Sequence, residues 1–396
     1  RPVFLVGGGI HSSNAINEIV ELAKYTQIPS FPTWNALDII TSDLEIYGGR
    51  VGTYGGEGRN FGIQNSDLLI AIGSRISGRI TGGNLKSFAR AAKKYVVDVD
   101  KSLLQKNLQQ VPFDENIYCD AKIFIEKLLN KLRKSNYKSS HKDWLNTVIN
   151  WRNKYDPVKP SFHENNGKYI HPYSFVRKLS NIMESNDILV GDCGGNIVTI
   201  GHAFKSKQGQ RMITNNGNSP MGYSFAASIG AVLAEKDKKR NVVCIIGDGG
   251  MNMNIQELQT LINYKIIFKT FILNNHIYGI TKAFQKTNFG GRAEACGPKG
   301  YNPPDFLKIA KAYGIKTHYI DHSSSIENEI KYVLDSNECI VCDVNCHEFH
   351  TYEPRIFGWK TPIEDMYPYL SRKEFKENLF IEPEEDWENP VMPNVY

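Results

Sequence analysis

Two apolar runs, Val242 to Ile246 and Ile266 to Leu273, constrain most tightly what this chain can fold into. Each has the length of a strand, and neither alternates with polar residues, so both read as strands buried on both faces. Between them Leu258, Leu261 and Ile262 recur at helical spacing. Strand, helix, strand in this order predicts parallel strands joined by a crossover helix. The first run leads into Gly-Asp-Gly-Gly at 247–250, and the second ends in Asn274-Asn275. A carboxylate after one strand and a carboxamide after the next would converge at the sheet edge where ligands bind. Asp248 and Asn275 are hard oxygen donors suited to Mg²⁺ or Ca²⁺. The glycines let backbone N–H groups approach an anion. Together these features read as a site for a metal diphosphate. The plain alternative is an Asp-Gly turn and an Asn-rich loop in an ordinary α/β domain.

The same alternation occurs elsewhere in the 396 residues, a length that allows two or three domains. Strand-like segments at Pro2–Val6, Ile28–Phe31, Asp67–Ile72 and Tyr95–Val99 predict a first parallel sheet. Ser12, Ser13 or Asn14 could cap a helix reaching Tyr25. A glycine-rich stretch at 48–62 is long for a connector and points to contact with a ligand or partner. Residues 131–167 are polar, with one amphipathic helix around Trp144–Tyr155, and read as a linker. Further strands are expected at Ile188–Val190, Met212–Thr214, Thr317–Ile320 and Cys339–Val344. The expected class is α/β with two doubly wound parallel-sheet domains, residues 1–130 and 168–350. Residues 351–396, rich in Pro, Tyr and Glu, are expected to wrap a surface.

Charge is nearly balanced, 47 basic against 42 acidic residues. No basic stripe interleaves with aromatics, which argues against nucleic acid. No run is long enough to span a membrane. The chain enters a strand directly from Arg1-Pro2, without a signal peptide, and is expected to belong to a longer polypeptide. Cys339, Cys342, Cys346 and His347 lie close together and raise zinc. The same residues also read as a strand that points Cys339 and Cys342 to opposite faces. Reduced thiols in a cytoplasmic protein are the expected state of all seven cysteines.

The Gly-Asp-Gly and Asn-Asn pairing, with both flanking strands, resembles the thiamine diphosphate motif. RPVFLVGGG at 1–9, SDLLIAIGSRISGRITGG at 66–83, GDCGGN at 191–196 and NSPMGYSFAASIGA at 218–231 extend the likeness over roughly residues 1–350. The chain is similar to the acetolactate synthase-like family of thiamine diphosphate enzymes, with a Rossmann-like middle domain followed by a diphosphate-binding domain. That resemblance implies an enzyme using thiamine diphosphate and Mg, with metal ligands Asp248, Asn275 and the backbone of Ile277. Gly195, Asn196, Gly247, Gly249, Gly250, Tyr278 and Gly279 would surround the cofactor. Asn196 reads equally as a turn residue. Met221 matches the apolar wedge beneath the cofactor, and Ser219 and Met221 would meet its pyrimidine through their backbone. Ile280 and Phe284 would line the substrate pocket. FAD is a further expectation, against Gly7, Gly8, Gly9, Gly73, Arg75 and Arg79, although surface ion pairing is the commoner fate of an arginine and is the alternative for Arg75 and Arg79.

The implied reaction is decarboxylation of a 2-keto acid such as pyruvate, with carboligation to a carbonyl acceptor. Phe284 and Tyr278 depart from the family's usual Trp and Gln, so the acceptor could instead be a keto sugar nucleotide. The family's activating glutamate belongs to a pyrimidine-binding domain that finds no match here. No catalytic base is therefore assigned, and the isolated chain is expected to be inactive. A homodimer or homotetramer is implied. The alternatives are a simple 2-keto acid decarboxylase and a non-catalytic nucleotide-binding or assembly module.

Overall fold

Alternating side chains on each strand decide the layers, because successive residues of a strand point to opposite faces. The computed structural model describes all residues except 106–110, 165–168, 236–239, 323, 347, 349, 350 and 393–396. The chain divides into two units, Arg1–Pro157 with Glu353–Pro393, and Val158–Tyr352. In unit 1 the strands are β1 (Pro2–Val6), β2 (Ser30–Pro32), β3 (Leu68–Ile72), β4 (Lys93–Asp98) and β5 (Glu115–Tyr118). They form one parallel sheet in the order β2-β1-β3-β4-β5. Its helices are α1 (Gly9–Ser12), α2 (Ile16–Thr26), α3 (Glu57–Gln64), α4 (Gly78–Thr81), α5 (Ala121–Lys134) and α6 (Lys142–Lys154). Phe4 and Val6 of β1 join a core with Ile19 and Leu22 of α2 and Ile125 of α5. Val3 and Leu5 join a second core with Phe61 of α3 and Val148 of α6. The sheet is thus covered on both faces.

Unit 2 repeats the plan. Its strands are β6 (Ile188–Gly191), β7 (Arg211–Thr214), β8 (Val242–Gly247), β9 (Lys269–Asn274), β10 (Lys316–Ile320) and β11 (Ile340–Asn345). The parallel order is β10-β11-β9-β8-β6-β7. The helices are α7 (Pro172–Ile182), α8 (Gly195–Ala203), α9 (Tyr223–Ala234), α10 (Asp248–Met253), α11 (Glu257–Tyr264), α12 (Gly279–Asn288), α13 (Phe306–Ala312) and α14 (Ile326–Asp335). Cys244, Ile246 and Ile272 pack with Phe225, Leu258 and Phe306 on one face. On the other, Phe271 of β9 meets Phe175 of α7 edge-on at 5.3 Å. Two parallel α/β sheets are as expected.

Several local features differ from the sequence reading. The stretch expected as a linker carries α6, whose Trp144, Leu145, Val148 and Trp151 are buried in unit 1; part of its end, 165–167, lies outside the described residues. The glycine-rich stretch turns helical at Glu57, with Gly56 at a φ of 90° before it. The Gly-Asp-Gly-Gly turn is the start of α10, with Gly247 as its N-cap. The tail is more than a surface wrap. Ile363, Leu370 and Phe375 complete the second core of unit 1, and α15 (Arg372–Glu377) lies within this segment. Asn60 donates to the Ile363 carbonyl at 2.7 Å, and Trp151 donates to Asn378 Oδ1 at 2.6 Å. Cys342 is a buried β11 residue, all seven thiols are free, and His347 lies outside the described residues. Among the described residues no helix is long and apolar enough to cross a membrane.

Candidate cofactor site

The path of the chain reverses between β6 and β8, which makes that crevice the switch point of the unit 2 sheet. Gly191 of β6 pairs with Ile245 of β8, and Gly247 of β8 pairs with Leu273 of β9. The residues that follow these three strands therefore emerge side by side. Asp192 to Asn196 leads from β6 into α8. Asp248 opens α10 after β8. Asn275 to Tyr278 leads from β9 into α12. Together they line a cavity of about 110 Å³, with Met221, Ile280 and Tyr352. The N-termini of α8, α10 and α12 all begin in this lining. The backbone N–H groups and partial positive charge of helix N-termini favour an anion there.

A carboxylate is buried beside them. Asp248 is only 3% exposed. Its Oδ1 accepts from the Gly249 N–H at 2.7 Å, while its Oδ2 has no hydrogen-bond partner. Burial pushes its carboxyl up to about 7. Asn196 Oδ1 is likewise buried without a partner. Behind the loop, Asp343 of β11 accepts from Asn274 Nδ2 at 3.1 Å and is pushed up to about 6 by burial. His276 Nε2 lies 3.0 Å from Asn345 Oδ1. Acceptor oxygens left bare in a protein interior are costly, and a cation is the simplest group to satisfy them. Among the described residues no group of three or more His, Cys, Asp and Glu could hold a metal alone. The donors at this cavity suit a hard cation that completes its shell with oxygens of a bound anion. The site thus fits a metal diphosphate.

The glycines shape the cradle. A Cβ on Gly249 would lie 2.5 Å from Tyr278 Cε1 and 2.9 Å from Met221 Cε, and one on Gly247 would lie 2.7 Å from Asn196 Nδ2. A Cβ on Gly195 would collide with the Tyr352 hydroxyl, and one on Gly250 with Asp192 Oδ2. Asp192 also accepts from the backbone N–H of Gly222 at 3.2 Å and of Ser224 at 3.1 Å. It thereby caps α9 from a distance and ties the Met221 segment to α8 and α10. Met221 stands over Gly249 and is 41% exposed. Gly279 and Ile277 are in the lining, whereas Ser219 and Phe284 lie outside it. The sequence reading did not single out Asp192, Tyr301, Asp343 or Tyr352. Asp192 was visible within GDCGGN, but nothing in the chain pattern marks Tyr352.

The residues expected to flank FAD lie in unit 1. Gly7 to Gly9 follow β1, and Gly73 follows β3. A Cβ on Gly7 would collide with the Gly73 carbonyl, and one on Gly9 would lie 2.8 Å from Gly73 Cα. The Gly9 N–H donates to the Gly73 carbonyl at 3.0 Å. These glycines are explained by two turns packing backbone to backbone. Arg75 and Arg79 are exposed, and the Arg79 guanidinium lies 5.7 Å from the Trp34 ring.

Comparison with known proteins agrees with this geometry. Residues 192–344 match the thiamine pyrophosphate enzyme C-terminal TPP binding domain, and residues 1–128 match the thiamine pyrophosphate enzyme central domain. A probable acetolactate synthase large subunit of Methanococcus aeolicus is 32% identical over 356 residues, covering 87% of this chain and 57% of the relative. The acetolactate synthase large subunit of Cyanidium caldarium is 30% identical, covering 88% and 59%. That of Lactococcus lactis is 27% identical, covering 86% and 57%. The chain therefore spans somewhat over half the length of these relatives. With both domains matched in order and the buried carboxylate at the switch point of the second, the chain belongs to the thiamine pyrophosphate enzyme family.

Proposed function

We propose that this chain provides the metal and diphosphate end of a thiamine diphosphate-dependent enzyme that decarboxylates a 2-keto acid and joins the resulting two-carbon unit to a carbonyl acceptor. The observation that carries this reading is one cavity where helix N-termini, suited to an anion, meet a buried, half-satisfied carboxylate, suited to a cation. Asp248, the Asn275 side chain and the Ile277 carbonyl would hold Mg²⁺. Backbone N–H groups of Gly195, Asn196, Gly249, Gly250 and Gly279 would hold the diphosphate. Met221 would support the ring system, and Ser219 and Met221 would meet the pyrimidine through backbone groups. When bound, the cofactor supplies a carbon nucleophile that also accepts the electron pair released on decarboxylation. The residues of this chain would hold it in place at its diphosphate end.

Pyruvate is the proposed donor, by analogy with the acetolactate synthase relatives. Ile280 and Phe284 would face the acceptor, either a second keto acid or a keto sugar nucleotide. A homo-oligomer is supported by α9, which has no charged residue and yet leaves Ala226, Gly230 and Leu233 exposed. A helix apolar all round is normally buried. The free thiols fit a reducing cytoplasm. Support for FAD rests on Arg75 and Arg79 alone, since the neighbouring glycines are used in packing. Its fit is incomplete, and no step is assigned to it.

The test is calorimetric titration of the chain with thiamine diphosphate, with and without Mg²⁺. Metal-dependent binding that Asp248→Ala abolishes is expected. Equal binding by the variant would overturn the assignment. Products from pyruvate, separated by mass, then distinguish a hydroxy-ketone from free aldehyde.

A further inference from the structure

Tyr301 carries a buried polar atom that the site described so far does not use. Its side chain is only 6% exposed, and its hydroxyl makes no hydrogen bond of ordinary geometry, although it lies near enough to the Asp248 carboxylate to interact with it. Such groups are rare in folded proteins because a bare hydroxyl loses its water without compensation. Backbone and ring contacts hold this one in place. The Tyr301 N–H donates to the Gly297 carbonyl at 2.7 Å. The ring stacks on Tyr278, with centroids 3.9 Å apart and planes inclined by 29°. Tyr278 in turn lies against Gly249, the residue after Asp248. Tyr301 is therefore one ring removed from the cation site. Burial, then the charge of Asp248, keep its hydroxyl protonated, so it has a proton to donate at ordinary pH. Asp248 Oδ2, another bare atom in this corner, can only accept when ionised.

We propose that Tyr301 is the positioning residue for Asp248: its hydroxyl donates a hydrogen bond to the carboxylate when a divalent cation is bound, and so orients the ligand oxygen. A carboxylate oxygen has two lone pairs, so one can face the cation and the other a donor. Ligating carboxylates are generally held by such hydrogen bonds, and losing one costs about 10–100-fold in metal affinity. The inference rests on the reading that Asp248 ligates the cation, and the two can fail separately. It makes an unusual demand: removing the hydroxyl should weaken cation binding without weakening the cation-free protein, where the hydroxyl makes no hydrogen bond of ordinary geometry.

The experiment titrates the whole chain with Mn²⁺ at a fixed concentration of thiamine diphosphate, following free Mn²⁺ by electron paramagnetic resonance. Wild type, Tyr301→Phe and Asp248→Ala are compared, and the cation-free melting temperature of each is recorded. The expected result is Mn²⁺ affinity about tenfold or more weaker in Tyr301→Phe, with an unchanged or raised cation-free melting temperature. Loss of binding in Asp248→Ala with wild-type affinity in Tyr301→Phe would overturn the role of Tyr301 alone. A clear drop in the cation-free melting temperature of Tyr301→Phe would also overturn it, since the hydroxyl would then be engaged without a cation. Wild-type affinity in Asp248→Ala would overturn the ligand assignment and this inference with it.

Discussion

In unit 1 the turn Gly7–Gly9 lies at the switch between β1 and β3, just as Gly247–Gly250 lies at the switch between β6 and β8 in unit 2. Both sheets are parallel, and both turns are rich in glycine at the edge where such sheets bind ligands. They are used differently. In unit 1 the space beside Gly7 and Gly9 is filled by the backbone of Gly73. In unit 2 the space beside Gly247 and Gly249 is bounded by the ends of side chains and opens on a cavity. Two buried carboxylates from each unit show the same contrast. Glu364 of unit 1 meets Arg90 at 2.5 Å and Gln64 at 2.6 Å, and Asp365 meets Arg372 at 2.7 Å. A larger cavity of about 650 Å³ has these two paired carboxylates in its lining. Asp248 and Asp343 of unit 2 each keep one oxygen bare. Glycine at a switch point is therefore poor evidence of a ligand until the neighbouring charges are counted.

The largest effect should come from the bare carboxylate. Asp248→Ala should reduce cation-dependent binding of thiamine diphosphate by well over the ~100-fold typical of an outer-shell partner, as read by calorimetry. Unit 1 should respond in stability instead. Arg90→Met leaves Glu364 buried with its charge uncompensated, which should cost about 3–5 kcal/mol in denaturant unfolding. Cofactor affinity should stay at the wild-type value. If it falls in parallel, the contrast between the units is wrong.

The glycines sharpen the contrast at smaller magnitude. Gly7→Ala drives a methyl into the Gly73 backbone, and about 1–3 kcal/mol or more should be lost, with unchanged cation affinity. Gly249→Ala presses on Tyr278 and Met221, so its main readout should be weaker cofactor binding. The reverse assignment of the two phenotypes would break the comparison.

The smallest effect is a pH slope. In the cation-free protein Asp248 titrates at about 7, against about 3.9 in an unfolded chain. Between these values the folded protein holds a proton that the unfolded chain releases. Stability from this group is therefore complete below about pH 4 and is lost as pH rises through about 7. Asp343, at about 6, and Asp192, also raised by burial, act in the same direction. The cation-free melting temperature should fall from about pH 5 to about pH 8, and Asp248→Asn should flatten that fall. Mg²⁺ with thiamine diphosphate should oppose it, because cation binding takes the ionised form. A melting temperature that climbs over this window would show that the carboxylates are held ionised by some other partner.

Local pattern determined much of this protein. The strands β1, β6 and β8 begin where their apolar runs begin, because a strand buried on both faces must be apolar throughout. Neighbouring parallel strands then bring Asp248 and Asn275 to one edge, since parallel pairing leaves every C-terminal end on the same side. Elements without such a run were illegible. β5 is short and starts with Glu115-Asn116, and α10 hides in a sequence that reads as a turn. Only the tertiary structure decided what surrounds the carboxylate. Asp192 reaches α9 across 32 positions of the chain, and Tyr352 and Tyr301 come from segments with no periodic signal. The tail joins the first core through Asn60 and Ile363, 303 positions apart. Periodicity reports which face of an element is buried, but it carries no information about which distant element will bury it. The identity of a bare or paired carboxylate is a property of that distant neighbour.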